Sequence, residues 1–263
     1  MKKLLIAASV AITCAASAVA DVAGANVFGL LTVLSSSADT IVAVPWCDCS
    51  TADNQPIAIS NIVKTANLTV GDQLAALSTN GVYLNTWTLT SGAGGVLYWK
   101  SDKTVVENGV TAETIAADKT YAARGTAILL HRQSPTEGGN PKPFYLYGQV
   151  GTSPSVTSTI ENAGASAATP VYTLIAPPTD GDVNILSALS SPVANDSIVV
   201  RNLKGIARTY TYDGSAWKYR ATPVASGETT AESITIKAGT GAWYVSRNSS
   251  AKPTITWTSI PVK

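Results

Sequence analysis

The chain has 263 residues, a formal net charge of +1 and only 13% charged residues, so it offers no basic field for nucleic acid or an anionic membrane. A hydrophobic share of 45% is enough to build a core and excludes the low-hydrophobicity, high-charge signature of disorder. The single histidine, His131, leaves no room for a His-rich metal site and supplies at most one imidazole for acid–base chemistry.

At the N-terminus, Lys2 and Lys3 precede an uncharged run that ends in Ala18-Val19-Ala20. A positive n-region, an apolar h-region and an A-x-A site predict a secretory signal peptide over residues 1–20, cleaved after Ala20. Its apolar stretch is diluted by Ala, Ser and Thr and is shorter than the ~20 residues a bilayer needs. No later stretch is long and apolar enough to span, so the mature chain is expected to be secreted, in the periplasm, at the cell surface or outside the cell. The next run, Val27 to Leu34, suits an internal first strand, with self-association through a neighbour's sheet edge as the alternative. Ile41 to Val44 reads as a second strand, followed by Trp46-Cys47-Asp48-Cys49. Cys47 and Cys49 are too close for an unstrained bridge, so in an oxidising compartment a strained local disulfide or an intermolecular one is expected, and the pair supplies too few ligands for a metal. A short helix is predicted over Ser60 to Ala66 with Ser60 as its cap, and another over Val183 to Ser190. Everything else with a clear period reads as strand: Tyr83 to Leu89, Ala127 to His131, Ser155 to Ile160, Ser197 to Val200, Thr209 to Tyr212, Ser233 to Ile236 and Thr254 to Trp257. Asp213-Gly214 predicts a tight hairpin turn.

The chain also repeats itself. Ile41-Val42-Ala43-Val44-Pro45, Asn61-Ile62, Asp72, Trp87, Trp99-Lys100 and Gly125-Thr126-Ala127 recur in the same order as Tyr172 to Pro177, Asn184-Ile185, Asp196, Tyr210, Trp217-Lys218 and Gly239 to Trp243. The expected fold is therefore all-β: two tandem homologous β-sandwich or barrel-like modules, 21–148 and 149–263, each with at most one short helix. The order of these motifs, and the Gly239-Thr240-Gly241-Ala242-Trp243 strand start above all, resembles a broad, poorly characterised group of secreted bacterial proteins with paired β-modules. That resemblance implies architecture, export and a bacterial source; it carries no catalytic residue, and Arg124 to Ala127 departs from its Gly-x-Gly-x-Trp pattern.

No reactive centre follows from the residues. His131 ends a strand with no Gly-x-Ser-x-Gly elbow to supply a nucleophile. Asp72 and Asp196 stand where a turn-stabilising Asx hydrogen bond is needed. Asp180-Gly181-Asp182 begins like a calcium loop but lacks the sixth-position glycine and the closing glutamate, and Gly239 to Gly241 leads into a strand, not a phosphate-binding helix. The tryptophans at repeat landmarks read as core, which leaves Trp46 as the weak candidate for an exposed, ligand-binding aromatic. The functional expectation is an exported non-catalytic cell-envelope or extracellular structural and binding protein without cofactor, metal or catalytic residues, in contact with surface glycans or with copies of itself. The alternatives are a carbohydrate-binding module pair or, with dispersed carboxylates, a secreted glycan hydrolase.

Overall fold

The computed structural model describes residues 28–46, 56–77, 83–107, 110–113, 116–118, 120–149, 155–219, 229–250 and 253–258. Residues 1–27, Cys47 and Cys49 lie outside them, and with them the expected signal peptide, its cleavage and the expected disulfide.

The first half runs β1 (Phe28–Leu34), β2 (Asp39–Ala43), β3 (Ile57–Ala58), helix α1 (Ile59–Ile62), β4 (Val63–Lys64), β5 (Gln73–Leu77), β6 (Tyr83–Ser91), β7 (Leu97–Ser101), β8 (Thr104–Glu107), β9 (Val110–Glu113), β10 (Tyr121–Ala122), β11 (Ala127–His131), β12 (Thr136–Glu137), β13 (Asn140–Pro141) and β14 (Pro143–Gln149). The second half runs β15 (Ser155–Thr159), β16 (Val171–Ile175), β17 (Val183–Asn184), β18 (Leu189–Ser190), β19 (Ser197–Arg201), β20 (Ala207–Tyr212), β21 (Trp217–Tyr219), β22 (Thr229–Thr230), β23 (Thr235–Ile236), β24 (Ala242–Ser246) and β25 (Thr254–Thr258). The protein is all-β, in small antiparallel sheets. In the first half the orders are β1-β14-β4, β2-β11-β5-β6-β7 and β3-β10; in the second they are β15-β25-β18, β16-β24-β19-β20-β21-β22 and β17-β23. In each half, then, the first strand pairs with the last (β1 with β14, β15 with β25), and the second pairs with the last five-residue strand before it (β2 with β11, β16 with β24).

Alternation along these strands decides which side chains meet. On β5 and β6, Leu74, Trp87 and Leu89 point one way and are buried with Trp99, Leu130 and Phe144 in one apolar cluster. On β19 to β25, Ile198, Trp217, Tyr244, Ile255 and Trp257 form a second cluster. Truncating a buried tryptophan such as Trp87 in a packed core of this kind costs about 3–5 kcal/mol.

Ile41, Ala43 and Ala75 are buried but belong to neither cluster, because they sit on the opposite face of their strands from Val42 and Leu74. That face meets the second half. The Gly241 amide donates to the Ile41 carbonyl at 3.0 Å, and the Ala43 amide donates to the Gly239 carbonyl at 3.1 Å. The contact is so close that a Cβ on Gly241 would lie 2.7 Å from Ile41 Cγ2 and 3.2 Å from Ala127 Cβ. Elsewhere the two halves touch reciprocally. Gly239, before β24, abuts Leu31 and Leu146, a pair formed by the first and last strands of the first half. Gly125, before β11, abuts Val156 and Trp257, the corresponding pair of the second half. Both glycines have positive φ (71° at Gly239 and 83° at Gly125), so they serve as turns that bring backbone against the other half.

Local structure departs from the sequence reading in several places. The first helix is a single turn over Ile59–Ile62 with Ala58 at its N-cap and no side-chain cap, so Ser60 lies inside it. The second predicted helix shrinks to a 3₁₀ turn over Ile185–Ser187, because Asn184 Oδ1 accepts from the amides of both Leu186 and Ile234 and ties the segment into the β17–β23 ladder. The β20–β21 hairpin closes through four residues, Asp213 to Ala216, with Gly214 alone at positive φ (98°). Asp213 contributes its carboxylate instead, accepting from the Ser215 and Ala216 amides and the Ser215 hydroxyl. Trp87, Trp99, Trp217 and Trp257 are buried, whereas Trp243 is half-buried on the opposite face and meets Tyr172 edge-on. β1 pairs with β14 of its own chain from Phe28↔Gln149 to Leu34↔Pro143, so the apolar run is an internal strand along that edge.

Candidate functional site

The polar residues at repeated positions are occupied by the fold. Asp72, 2% exposed, accepts from the Thr69 amide at 2.9 Å and from the Gln133 amide at 2.7 Å, clamping the turn before β5 to the end of β11. Asp196, fully buried, does the same before β19: it accepts from the Arg247 amide (2.9 Å) beyond β24 and from the Tyr244 hydroxyl (2.9 Å). Burial pushes the Asp196 carboxyl above its ordinary range, with these donors opposing the shift. Tyr244, desolvated and beside Asp196, holds its proton well above the usual tyrosine range. Arg132, 1% exposed, donates to the carbonyls of Ser35, Pro135 and Lys142, tying together the turns around β1, β2 and β12. Desolvation lowers its pKa and the charge of Asp72 partly offsets that.

His131 closes β11 with its side chain 42% exposed. Nδ1 lies 2.8 Å from Asp39 Oδ1, and Arg201 from the second half approaches the other Asp39 oxygen at 3.9 Å. Arg201–Asp39 is a surface ion pair of modest worth, His131–Asp39 is a hydrogen bond, and among the described residues the imidazole meets no hydroxyl or thiol nucleophile. Trp46 does not offer a stacking face. It is 6% exposed and lies over Gly29, whose missing side chain makes the room: a Cβ there would fall 2.4 Å from the indole ring. As an exposed ligand-binding aromatic it is therefore corrected to a core residue. Asp182 is held by the Lys237 ammonium (2.5 Å) and the Ala238 amide (3.0 Å), which lower its pKa against the opposing effect of burial. Among the described residues no group of three or more His, Cys, Asp or Glu gathers.

An open mouth in the second half, about 520 Å³, lies where the core side of β19–β21 reaches solvent beside β23. Register explains its lining. Val200 pairs with Arg208 and Ile198 with Tyr210, so Arg208 and Tyr210 share the core-facing side of β20. Tyr219 of β21 reaches Tyr210 with ring centroids 5.4 Å apart, and the Arg208 guanidinium lies over the Tyr219 ring at 4.9 Å. Thr235 and Lys237 of β23 complete the far wall. Among the described residues no carboxylate lines this mouth.

The equivalent place in the first half is shut. There Ala76 pairs with Asn85 as Val200 pairs with Arg208. Asn85 (2% exposed) hydrogen-bonds Ser101 (3% exposed) at 3.3 Å, and its amide carbonyl, correctly oriented, accepts from the Trp87 indole at 3.0 Å. A short, mutually satisfied polar pair fills in one half the space that Arg208 and Tyr219 leave open in the other. The strand over Thr209 to Tyr212 is readable from the sequence, and alternation extended by one residue puts Arg208 on the same face as Tyr210 and Tyr212. That alternation was the available signal. Comparison with known proteins finds no matching family model, no matching curated protein and no matching solved structure.

Proposed function

We propose that the chain is an exported, non-catalytic structural and binding protein of the bacterial cell envelope or its surroundings, built from two tandem homologous β-modules, 21–148 and 149–263. The observation that carries this reading is where the recurring polar residues spend their chemistry. Asp72 and Asp196 occupy equivalent turns and both give their oxygens to the ends of equivalent strands. What recurs between the halves thus serves folding, and what differs lies at solvent-facing places such as the mouth beside Arg208. The reciprocal seating of Gly125 and Gly239 supports the same duplication, since two copies related by a two-fold axis bury equivalent surfaces on each other. Leader removal, secretion and a bacterial source belong to this proposal and rest on residues 1–20 and on the resemblance described above.

Glycan binding is the second reading, favoured by the mouth: aromatic rings, hydroxyls and cations line it, and hydrolysis would need two facing carboxylates, which its described lining residues do not include. The test is co-sedimentation of the secreted protein with isolated envelope and extracellular polysaccharide, with soluble products assayed over time. Retention on the insoluble fraction without new reducing ends is the expected result. Time-dependent product release that scales with protein concentration would overturn a non-catalytic role.

A further inference from the structure

We infer that the mouth of the second half binds a carboxylated sugar unit of an acidic polysaccharide, with Arg208 pairing the carboxylate. This deepens the binding role proposed above and rests on it. Among the described residues four cations border the groove: Arg201, Arg208, Lys218 and Lys237. Three of them face acids of this chain, Arg201 with Asp39, Lys218 with Asp213 and Lys237 with Asp182. Arg208 alone has no carboxylate partner among the described residues, and it is exposed.

The Arg208 guanidinium lies over the Tyr219 ring, 4.9 Å from its centroid, and Tyr219 in turn meets Tyr210, so the planar fork is positioned before any ligand arrives. A guanidinium fixed by stacking keeps its N–H edge free, and that edge matches a carboxylate with two parallel hydrogen bonds. Pre-orientation lowers the ordering cost of binding. Around it stand Thr235, whose hydroxyl can donate to and accept from sugar hydroxyls, Asn202, whose amide nitrogen can donate while its oxygen accepts from the Lys204 and Ile206 amides, and the apolar surface of Ile206, 63% exposed, against which a ring can rest. At about 520 Å³ the mouth lies within the ~300–1,000 Å³ of ordinary small-molecule sites. A neutral sugar would leave the guanidinium edge unmatched, and an acidic peptide would bring the carboxylate without the ring hydroxyls that Thr235 and Asn202 can meet.

The closed counterpart sharpens the assignment. Folding requires neither an arginine nor an opening there, since Asn85 and Ser101 fill the equivalent place with a buried hydrogen bond. An arginine and a tyrosine in the second half replace a buried hydrogen-bonded pair with an exposed, solvated charge, a difference that core packing does not require.

The experiment is calorimetric titration of the full chain with short oligogalacturonates at low ionic strength, beside the fully methyl-esterified oligomers and poly-glutamate. The expected result is binding of the carboxylated oligomer and at least about tenfold weaker binding of its ester. Arg208→Gln is expected to lose about tenfold or more in affinity, and Arg208→Lys, which keeps charge but not the fork, to fall between. Arg208→Gln changes an exposed side chain, and an unchanged thermal transition will confirm that it folds. Equal binding of ester and acid, equal binding of poly-glutamate, or an Arg208→Gln variant that binds like the parent would each overturn the assignment. So would no binding of any oligomer. In that last case continued retention on native envelope material leaves the broader binding role standing, whereas product formation from that material would remove the broader role instead.

Discussion

Gly241→Ala tests the docking of the two halves most directly. Gly241 does not have the positive φ that would itself penalise a side chain, so the variant reads space alone. A methyl added there meets the Ile175 carbonyl oxygen at 2.6 Å, Ile41 Cγ2 at 2.7 Å and Ala127 Cβ at 3.2 Å. The carbonyl cannot swing away, because Ile175 is paired with Ala242 in the β16–β24 ladder. Relief must come from splaying that ladder or from parting β2 from β24, and overpacking of this kind costs about 1–3 kcal/mol. For a chain of this size each kcal/mol lowers the midpoint by roughly 2–4 °C, so a fall between about 2 and 12 °C is expected. Urea unfolding followed by tryptophan fluorescence gives the free energy, and a thermal scan gives the midpoint. Gly181→Ala is the control: nothing lies within 4 Å of its added Cβ, and a change within about 0.5 kcal/mol is expected. Ile41→Leu removes the Cγ2 branch across the contact, so the double variant should lose less than the sum of the singles. Gly241→Ala as stable as Gly181→Ala, or strict additivity with Ile41→Leu, would refute the contact between halves.

Asp213 should titrate near 2, below its ordinary 3.8, because the Ala216 and Ser215 amides and the Ser215 hydroxyl stabilise its charged form. Its folded pKa is depressed, so its contribution to stability is complete above pH 3.8 and is lost as pH falls through about 2; carboxyl-carbon NMR reads the midpoint directly. Asp196 has the opposite sign. Burial raises its folded pKa, so between 3.8 and that raised value the unfolded chain binds fewer protons, and stability falls as pH rises through the window. Urea midpoints measured across that window should slope downward in the parent, and the slope should vanish in Asp196→Asn. Arg132→Met should cost about 3–5 kcal/mol in urea unfolding, since it strands the carbonyls of Ser35, Pro135 and Lys142 in a buried place; Arg132→Lys should recover only part, because an ammonium does not span the same fork.

Period and punctuation made the strands legible. Ser155–Thr159 and Thr254–Thr258 alternate so clearly that both were readable as strands, and the structure pairs them with each other. Ordered landmarks such as Asp72 and Asp196 were readable as turn residues for the same reason: an Asx bond is a local device. What escaped was set by partners distant in the chain. Val183 to Ser190 has some helical pattern, but Asn184 is claimed by Ile234 across the β17–β23 ladder and the helix never extends. Trp46 looked free beside the cysteines because nothing near it reveals that Gly29 leaves a slot for its indole. The mouth draws Arg208, Tyr219 and Lys237 from separate strands, and no local pattern unites them.

Positions that hold the fold keep a physical role while their residues change. The turn before β5 takes Gly71 with φ 97°, and the corresponding turn before β19 takes Asn195 with φ 73°, the non-glycine residue that best tolerates that conformation. Outer sheet faces are under no such constraint. On the β1–β14 face Leu30 is 59% and Leu34 53% exposed beside Tyr147 and Pro143, whereas the matching β15–β25 face presents Ser155, Thr157, Thr159, Thr256 and Thr258. A fold that needs only size, backbone angle and a satisfied hydrogen bond at its shared positions leaves its surfaces free to diverge. An exposed arginine stacked on tyrosine, where the other half has a buried amide–hydroxyl pair, is therefore a difference that packing alone does not call for.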